Sequence, residues 1–157
     1  MMVRALLLAG GMGTRLRPIT NNTPKCLVQI NDEPLLGRWI RKLDNINCEF
    51  IVINTHYMSD KVEEYIRNIK KDKIKLSYEK ELLGTAGTLL NNKEEFKTGI
   101  GLLIHADNCT DFELKNLIDA HKKRPRNCLL TMLTFNSNNP RACGVVIIDK
   151  QGVMQEF

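Results

Sequence analysis

The sequence predicts an α/β fold, a mostly parallel sheet flanked by helices, and three observations carry that prediction. Short apolar runs alternate with segments of helical periodicity along the chain, which is the pattern of a strand–helix sandwich. The first run, residues 3–9, is apolar but for Arg4, as expected of a strand covered on both faces. Three glycines follow it within four positions, and open α/β sheets hold their ligands beyond such carboxyl ends of strands.

Taken in order, residues 3–9 form the first buried strand. Pro34 suits the first turn of a helix that carries Leu35, Leu36, Trp39, Ile40 and Leu43 at helical spacing. Residues 50–54 read as a second buried strand. Ser59-Asp60 starts a helix with Val62, Tyr65, Ile66 and Ile69 on its apolar face. A short strand at 75–78, a short helix at 85–91 and a strand at 101–105 follow. Thr110 and Glu113 have the spacing of a capping box ahead of a helix with Leu114, Leu117, Ile118 and His121. Residues 128–134 and 144–149 are rich in β-formers. Asp149-Lys150-Gln151-Gly152 reads as a turn, with a last strand beginning at Val153. No repeat, low-complexity stretch or linker interrupts the pattern, so one domain over 1–157 is expected. The last strand is cut off at Phe157, either as a natural edge strand or as a shortened chain.

Composition narrows the function classes. At 157 residues the chain can bury roughly two-thirds of its unfolded surface, so it needs neither disulfide nor metal to hold together. The net charge of +5 suits anionic ligands. It does not mark a nucleic-acid protein, because the basic residues are scattered and only 6% of the chain is aromatic. The densest basic cluster, from Lys122 to Arg126, dresses the end of a helix. Five cysteines, with no Cys-x-x-Cys pair, fit neither a disulfide framework nor a zinc site, and a reducing, cytoplasmic setting is the natural reading. Ala5 to Ala9 is far shorter than the ~20 apolar residues that span a bilayer, and the glycines after it offer no signal-peptide cleavage site. No membrane partner is expected.

The most informative stretch is Leu8-Ala9-Gly10-Gly11-Met12-Gly13-Thr14-Arg15-Leu16-Arg17-Pro18. Glycine admits φ > 0 and close backbone approach, and consecutive amides in such a loop form an anion-binding nest. Arg15 and Arg17 follow at once and Lys25 closes the segment, so cations gather where the nest would hold phosphate. Two familiar phosphate loops do not fit. There is no Gly-Lys pair for a Walker loop, and from Gly11 the sixth position of a dinucleotide fingerprint is Leu16.

That stretch, followed by Pro24-Lys25, resembles the sugar-1-phosphate nucleotidyltransferases, the nucleoside diphosphate sugar pyrophosphorylases. Gly84-Thr85-Ala86-Gly87, His105-Ala106-Asp107-Asn108 and Gly144-Val145-Val146 with Asp149 agree in order and approximate spacing, so the resemblance covers residues 3–157. It implies a Rossmann-like, GT-A-like sheet and the reaction of a nucleoside triphosphate with a sugar 1-phosphate, giving a nucleoside diphosphate sugar and pyrophosphate with Mg²⁺. Arg15 and Lys25 resemble the catalytic cations, and Leu8, Ala9, Gly10, Gly11, Met12, Gly13 and Thr14 the nucleotide-binding loop. Asp107 resembles the metal ligand, although Ala106 stands where the family usually has glycine. Gly144 resembles a sugar-binding glycine, and Cys143 stands where tyrosine is common.

In the family, Glu79, Glu81, Gly84 and Thr85 lie in the segment that reads the base together with residues 8–10. A carboxylate can accept both guanine donors, N1–H and N2–H₂, in one plane, which tilts the reading from UTP toward GTP. Beyond Phe157 the family has a Glu-x-Lys pair, an Asn-Ala-Gly segment and a second metal-binding aspartate. A truncated or degenerate homologue that binds nucleotide without turnover therefore stands as the alternative. Nucleoside triphosphate and sugar 1-phosphate are the expected partners, and a homo-oligomer is compatible with the sequence.

Overall fold

The apolar start of the chain becomes strand β1 (Val3–Leu8), in which Ala5, Leu6 and Leu7 are fully enclosed. A strand buried on both faces belongs inside a sheet. β1 pairs in parallel with β4 (Phe50–Thr55) on one side and β6 (Ile100–His105) on the other. β5 (Ile74–Tyr78) adds to β4, giving the order β5-β4-β1-β6. Leu8 lies beside Asn54 in β4 and His105 in β6, and Asn54 lies beside Ser77 in β5. The carboxyl ends of all four strands therefore meet along one edge, where the glycines begin. The computed structural model describes residues 2–156, and these fall into two compact units divided between Phe112 and Glu113.

In the first unit, helix α1 (Leu35–Asn45) buries Leu35, Leu36, Trp39, Ile40 and Leu43. These residues recur every three or four positions, the spacing of one helix face. α2 (Ser59–Ile69) buries Val62 and Ile66, and α3 (Gly84–Asn91) is the short helix expected between β5 and β6. Pro34 stands just outside α1 rather than in its first turn. It caps the helix and ends a small hairpin between β2 (Gln29–Ile30) and β3 (Glu33–Pro34). Asn31 and Asp32 turn that hairpin with φ of 50° and 60°. Two consecutive positive φ values are what a tight two-residue hairpin requires, and Asn and Asp accept them more readily than most residues.

The second unit holds α4 (Leu114–Lys123) and an antiparallel hairpin of β7 (Ile147–Ile148) and β8 (Met154–Glu156). Asp149 shapes its turn, with Oδ1 accepting from the amides of Gln151 (2.8 Å) and Val153 (2.9 Å). Three expectations are corrected here. Residues 128–134 form no strand, and Leu129 and Leu130 are 88% and 69% exposed. Of residues 144–149 only Ile147–Ile148 are extended and paired. β-formers alone do not make a strand; a neighbour must take its backbone hydrogen bonds. Thr110 does not cap α4, whose N-cap is Glu113 without a side-chain bond. Its hydroxyl instead accepts from the Phe112 amide at 3.1 Å, a local turn that competes with capping. Among the described residues no helix is long and apolar enough to cross a membrane.

Candidate active site

At the edge where the strands end lies a cleft of about 230 Å³, wholly within the first unit. Its floor is set by Asn54, the last buried polar residue along β4 before Thr55, only 4% exposed. Asn54 Oδ1 accepts from the amides of Ala9 (2.7 Å) and Gly10 (3.3 Å) as the chain leaves β1. The loop passes so closely that a Cβ on Gly10 would lie 3.1 Å from Asn54 Nδ2 and 3.1 Å from Leu82 Cδ2. A side chain here would have to push the Asn54 amide and the Leu82 methyl aside by a few tenths of an ångström.

One wall is the segment after β5. Glu79 is 3% exposed, and its carboxylate faces inward. Oε1 accepts from Thr88 Oγ1 (2.6 Å) and Asn54 Nδ2 (3.2 Å), and Oε2 accepts from the Leu83 amide (3.2 Å). The last bond places a carboxylate at the amino end of α3, where the helix dipole favours it. His56 Nδ1 contacts the Glu79 carbonyl oxygen at 2.9 Å. Glu79 thus stands in the wall of the cleft with its carboxylate already committed to its neighbours. Glu81 is exposed and lies outside the lining.

Across the cleft, Lys25 and Asp107 form a direct ion pair between Nζ and Oδ2. Lys25 opens a 3-10 turn (Lys25–Leu27) after Pro24, and the next residue, Cys26, is buried beneath it. Burial pushes the Cys26 thiol up to about 12, and the nearby Asp107 carboxylate adds to the shift. Asp107 follows β6 beyond His105 and Ala106. Trp39 of α1 ties down the adjoining backbone, its Nε1 donating to the Asn108 carbonyl at 2.9 Å. Asp107 is the one acidic side chain of the lining that faces a cation, and no cluster of three metal-ligating side chains exists among the described residues.

Beyond the cleft runs the rest of the glycine loop. Gly13 has φ +64° and precedes a 3-10 turn (Thr14–Leu16) that carries Arg15. Thr20, fully buried, donates to the Gly13 carbonyl at 2.7 Å. The amides from Gly11 to Arg15 meet no acceptor among the described residues. The open nest therefore starts at Gly11, because Asn54 has already taken the amides of Ala9 and Gly10.

The cleft brings together Leu8, Ala9, Gly10, Gly11, Lys25, Glu79, Gly84, Thr85 and Asp107 of the residues singled out in the sequence. Met12, Gly13, Thr14 and Arg15 are not in its lining, and Arg15 is exposed on the adjoining loop. Gly144 belongs to the second unit. Sequence reasoning missed Asn54 and Thr88. A polar residue closing the buried run 50–54 was the available signal for Asn54. Thr88 gave none, being an ordinary threonine in a short helix.

The family model described as Nucleotidyl transferase matches residues 4–157. The mannose-1-phosphate guanylyltransferase catalytic subunit beta of Drosophila pseudoobscura pseudoobscura is 31% identical over 160 residues, spanning 98% of this chain and 42% of that protein. Among solved structures, the CTP:phosphocholine cytidylyltransferase LicC from Streptococcus pneumoniae shares 31% identity with a TM-score of 0.63, over 73% of this chain and 49% of its own. HddC from Yersinia pseudotuberculosis, solved in complex with GMP-PN, shares 26% identity with a TM-score of 0.66, over 76% and 54%. The chain spans less than half the length of the first of these relatives.

Proposed function

The chain belongs to the nucleotidyl transferase family, and from that premise we propose that it transfers a nucleotidyl group from a nucleoside triphosphate to a sugar 1-phosphate. A phosphate oxygen of the sugar 1-phosphate attacks the α-phosphorus in line. The bond between that phosphorus and the oxygen bridging to the β-phosphate breaks, and pyrophosphate leaves with the bond's electrons. The attacking oxygen is already anionic near neutral pH, so no general base is needed. Positioning and charge neutralisation carry such a transfer.

The observation that supports this most is the convergence of Lys25, Asp107 and an open run of amides at one sheet edge. Lys25 would hold the α-phosphate and the incoming phosphate. At about 230 Å³ the cleft is smaller than the 300–1,000 Å³ usual for a ligand pocket. Base and ribose fill it, and the phosphates extend over the Gly11–Arg15 amides toward the Arg15 side chain. A single carboxylate with substrate phosphates and water is a fitting donor set for Mg²⁺, and Asp107 would hold the ion. When bound, it would offset charge on the phosphates.

GTP is the favoured nucleotide, on the names of the guanylyltransferase relatives. The committed carboxylate of Glu79 and the outlying Glu81 remove the argument from two base-reading acids. The free thiols of all five cysteines suit a reducing, cytoplasmic compartment. The test is pyrophosphate release from GTP, UTP and CTP with Mg²⁺ and a panel of sugar 1-phosphates, with Asp107→Ala as control. Release with GTP that Asp107→Ala abolishes supports the proposal. Tight nucleotide binding without release selects the second reading, a truncated or degenerate homologue that binds nucleotide without turnover.

A further inference from the structure

Four segments meet in the lining of the cleft through polar groups that are almost wholly enclosed. Asn54 comes from β4, Glu79 from the end of β5, Thr88 from α3, and the amides of Ala9 and Gly10 from the end of β1. Their bonds form one continuous chain, from Thr88 to Glu79, from Glu79 to Asn54, and from Asn54 to the loop. A branch runs from Glu79 to the Leu83 amide at the head of α3.

The chain has a direction. The side-chain amide of Asn54 has one accepting and one donating end. Turned the other way, its NH₂ would face the N–H groups of Ala9 and Gly10, donor against donor. A carboxylate only accepts, so Glu79 Oε1 selects the orientation that leaves Oδ1 for the loop. Thr88 occupies the remaining side of that oxygen and holds the carboxylate in place at 2.6 Å.

We propose that Thr88, acting through Glu79 and Asn54, is a positioning residue of the cleft. Its hydroxyl fixes Glu79, which fixes both the point where the glycine loop leaves the sheet and the amino end of α3 bearing Gly84 and Thr85. Two sides of the nucleotide site are thereby held at one spacing by a residue that is 1% exposed. The inference rests on the function proposed above only in what the cleft binds, since the brace itself is a property of the fold.

Thr88→Val keeps the shape and removes the donor. Amide hydrogen exchange at Leu83, Ala9 and Gly10 is expected to speed up about tenfold, and GTP to bind about tenfold more weakly. KM for the nucleotide should rise while kcat stays near the parent's, and Thr88→Ser should restore both exchange and affinity. Glu79→Gln reads the chain from its middle, because its amide oxygen can serve Asn54 and Thr88 while its NH₂ faces the Leu83 amide. Leu83 alone should then exchange faster, which keeps the test open if Thr88→Val folds poorly. Parental exchange at all three amides in Thr88→Val overturns the brace, as does a lowered thermal midpoint with parental GTP affinity. A parent that binds no nucleoside triphosphate, beside faster exchange in Thr88→Val, overturns the proposed function and leaves the brace standing.

Discussion

Replacing Gly13 by alanine separates the glycine loop's shape from its sequence. The residue sits at φ +64°, where a side chain costs about 1–2 kcal/mol. The new Cβ would also lie 2.9 Å from Thr20 Cγ2 and 3.1 Å from Lys25 Cβ. Thr20 is fully buried and its hydroxyl holds the Gly13 carbonyl, so it cannot turn aside without losing a bond worth about 1 kcal/mol. Overpacking of this kind typically costs about 1–3 kcal/mol, so the combined penalty is on the order of 2–5 kcal/mol. Gly11 is the control, since a Cβ there meets nothing within 4 Å and its φ is not positive. Urea unfolding and GTP binding are the assays. Gly13→Ala should lose about 2 kcal/mol or more, or escape by opening the loop and binding GTP at least tenfold more weakly. Gly11→Ala should stay within about 0.5 kcal/mol of the parent. Parental stability together with parental GTP affinity in Gly13→Ala would refute the reasoning.

Three further outcomes are expected. Arg15→Ala should abolish pyrophosphate release and leave the thermal midpoint nearly unchanged, because the residue is exposed; a large loss of stability would contradict its role. Acid should weaken the fold below about pH 4.5. Hydrogen bonds from Arg41 hold Glu33 below its ordinary 4.5, and those from Lys71 and Lys73 outweigh burial in holding Asp44 below 3.8. Both carboxylates stabilise the fold above their unfolded values, and that stability drains away as the pH falls through the lowered ones, which urea titrations at pH 7, 5 and 3.5 will show. In the folded protein a disulfide reagent should modify Cys109 and Cys143 fast and spare Cys26 and Cys48, which are buried with raised thiols. Rapid modification of Cys26 would mean that the turn carrying Lys25 opens.

What the sequence shows depends on how local the determinant is. β1, α1 and β4 were legible because each carries its own periodicity, and Lys25, Asp107 and the glycines because the motif prints them. The hairpin turned by Asn31 and Asp32 went unread, since its strands are only two residues long. Residues 128–134 misled in the other direction, because a run of β-formers says nothing about whether a partner strand exists. Asn54, Glu79 and Thr88 lie up to 34 positions apart, and only the order β5-β4-β1-β6 and the return of α3 make them neighbours. Glu79 was singled out as a reader of the base, whereas the direction its carboxylate faces is set by donors on other elements.

Trp39 is the sole tryptophan of the chain, and its indole nitrogen is bonded to the residue next to Asp107. A natural fluorophore is thus bonded to the backbone that carries the acidic residue. The emission of the unlabelled protein therefore reports on the backbone beside Asp107, and the proposed function predicts that adding GTP and Mg²⁺ shifts it.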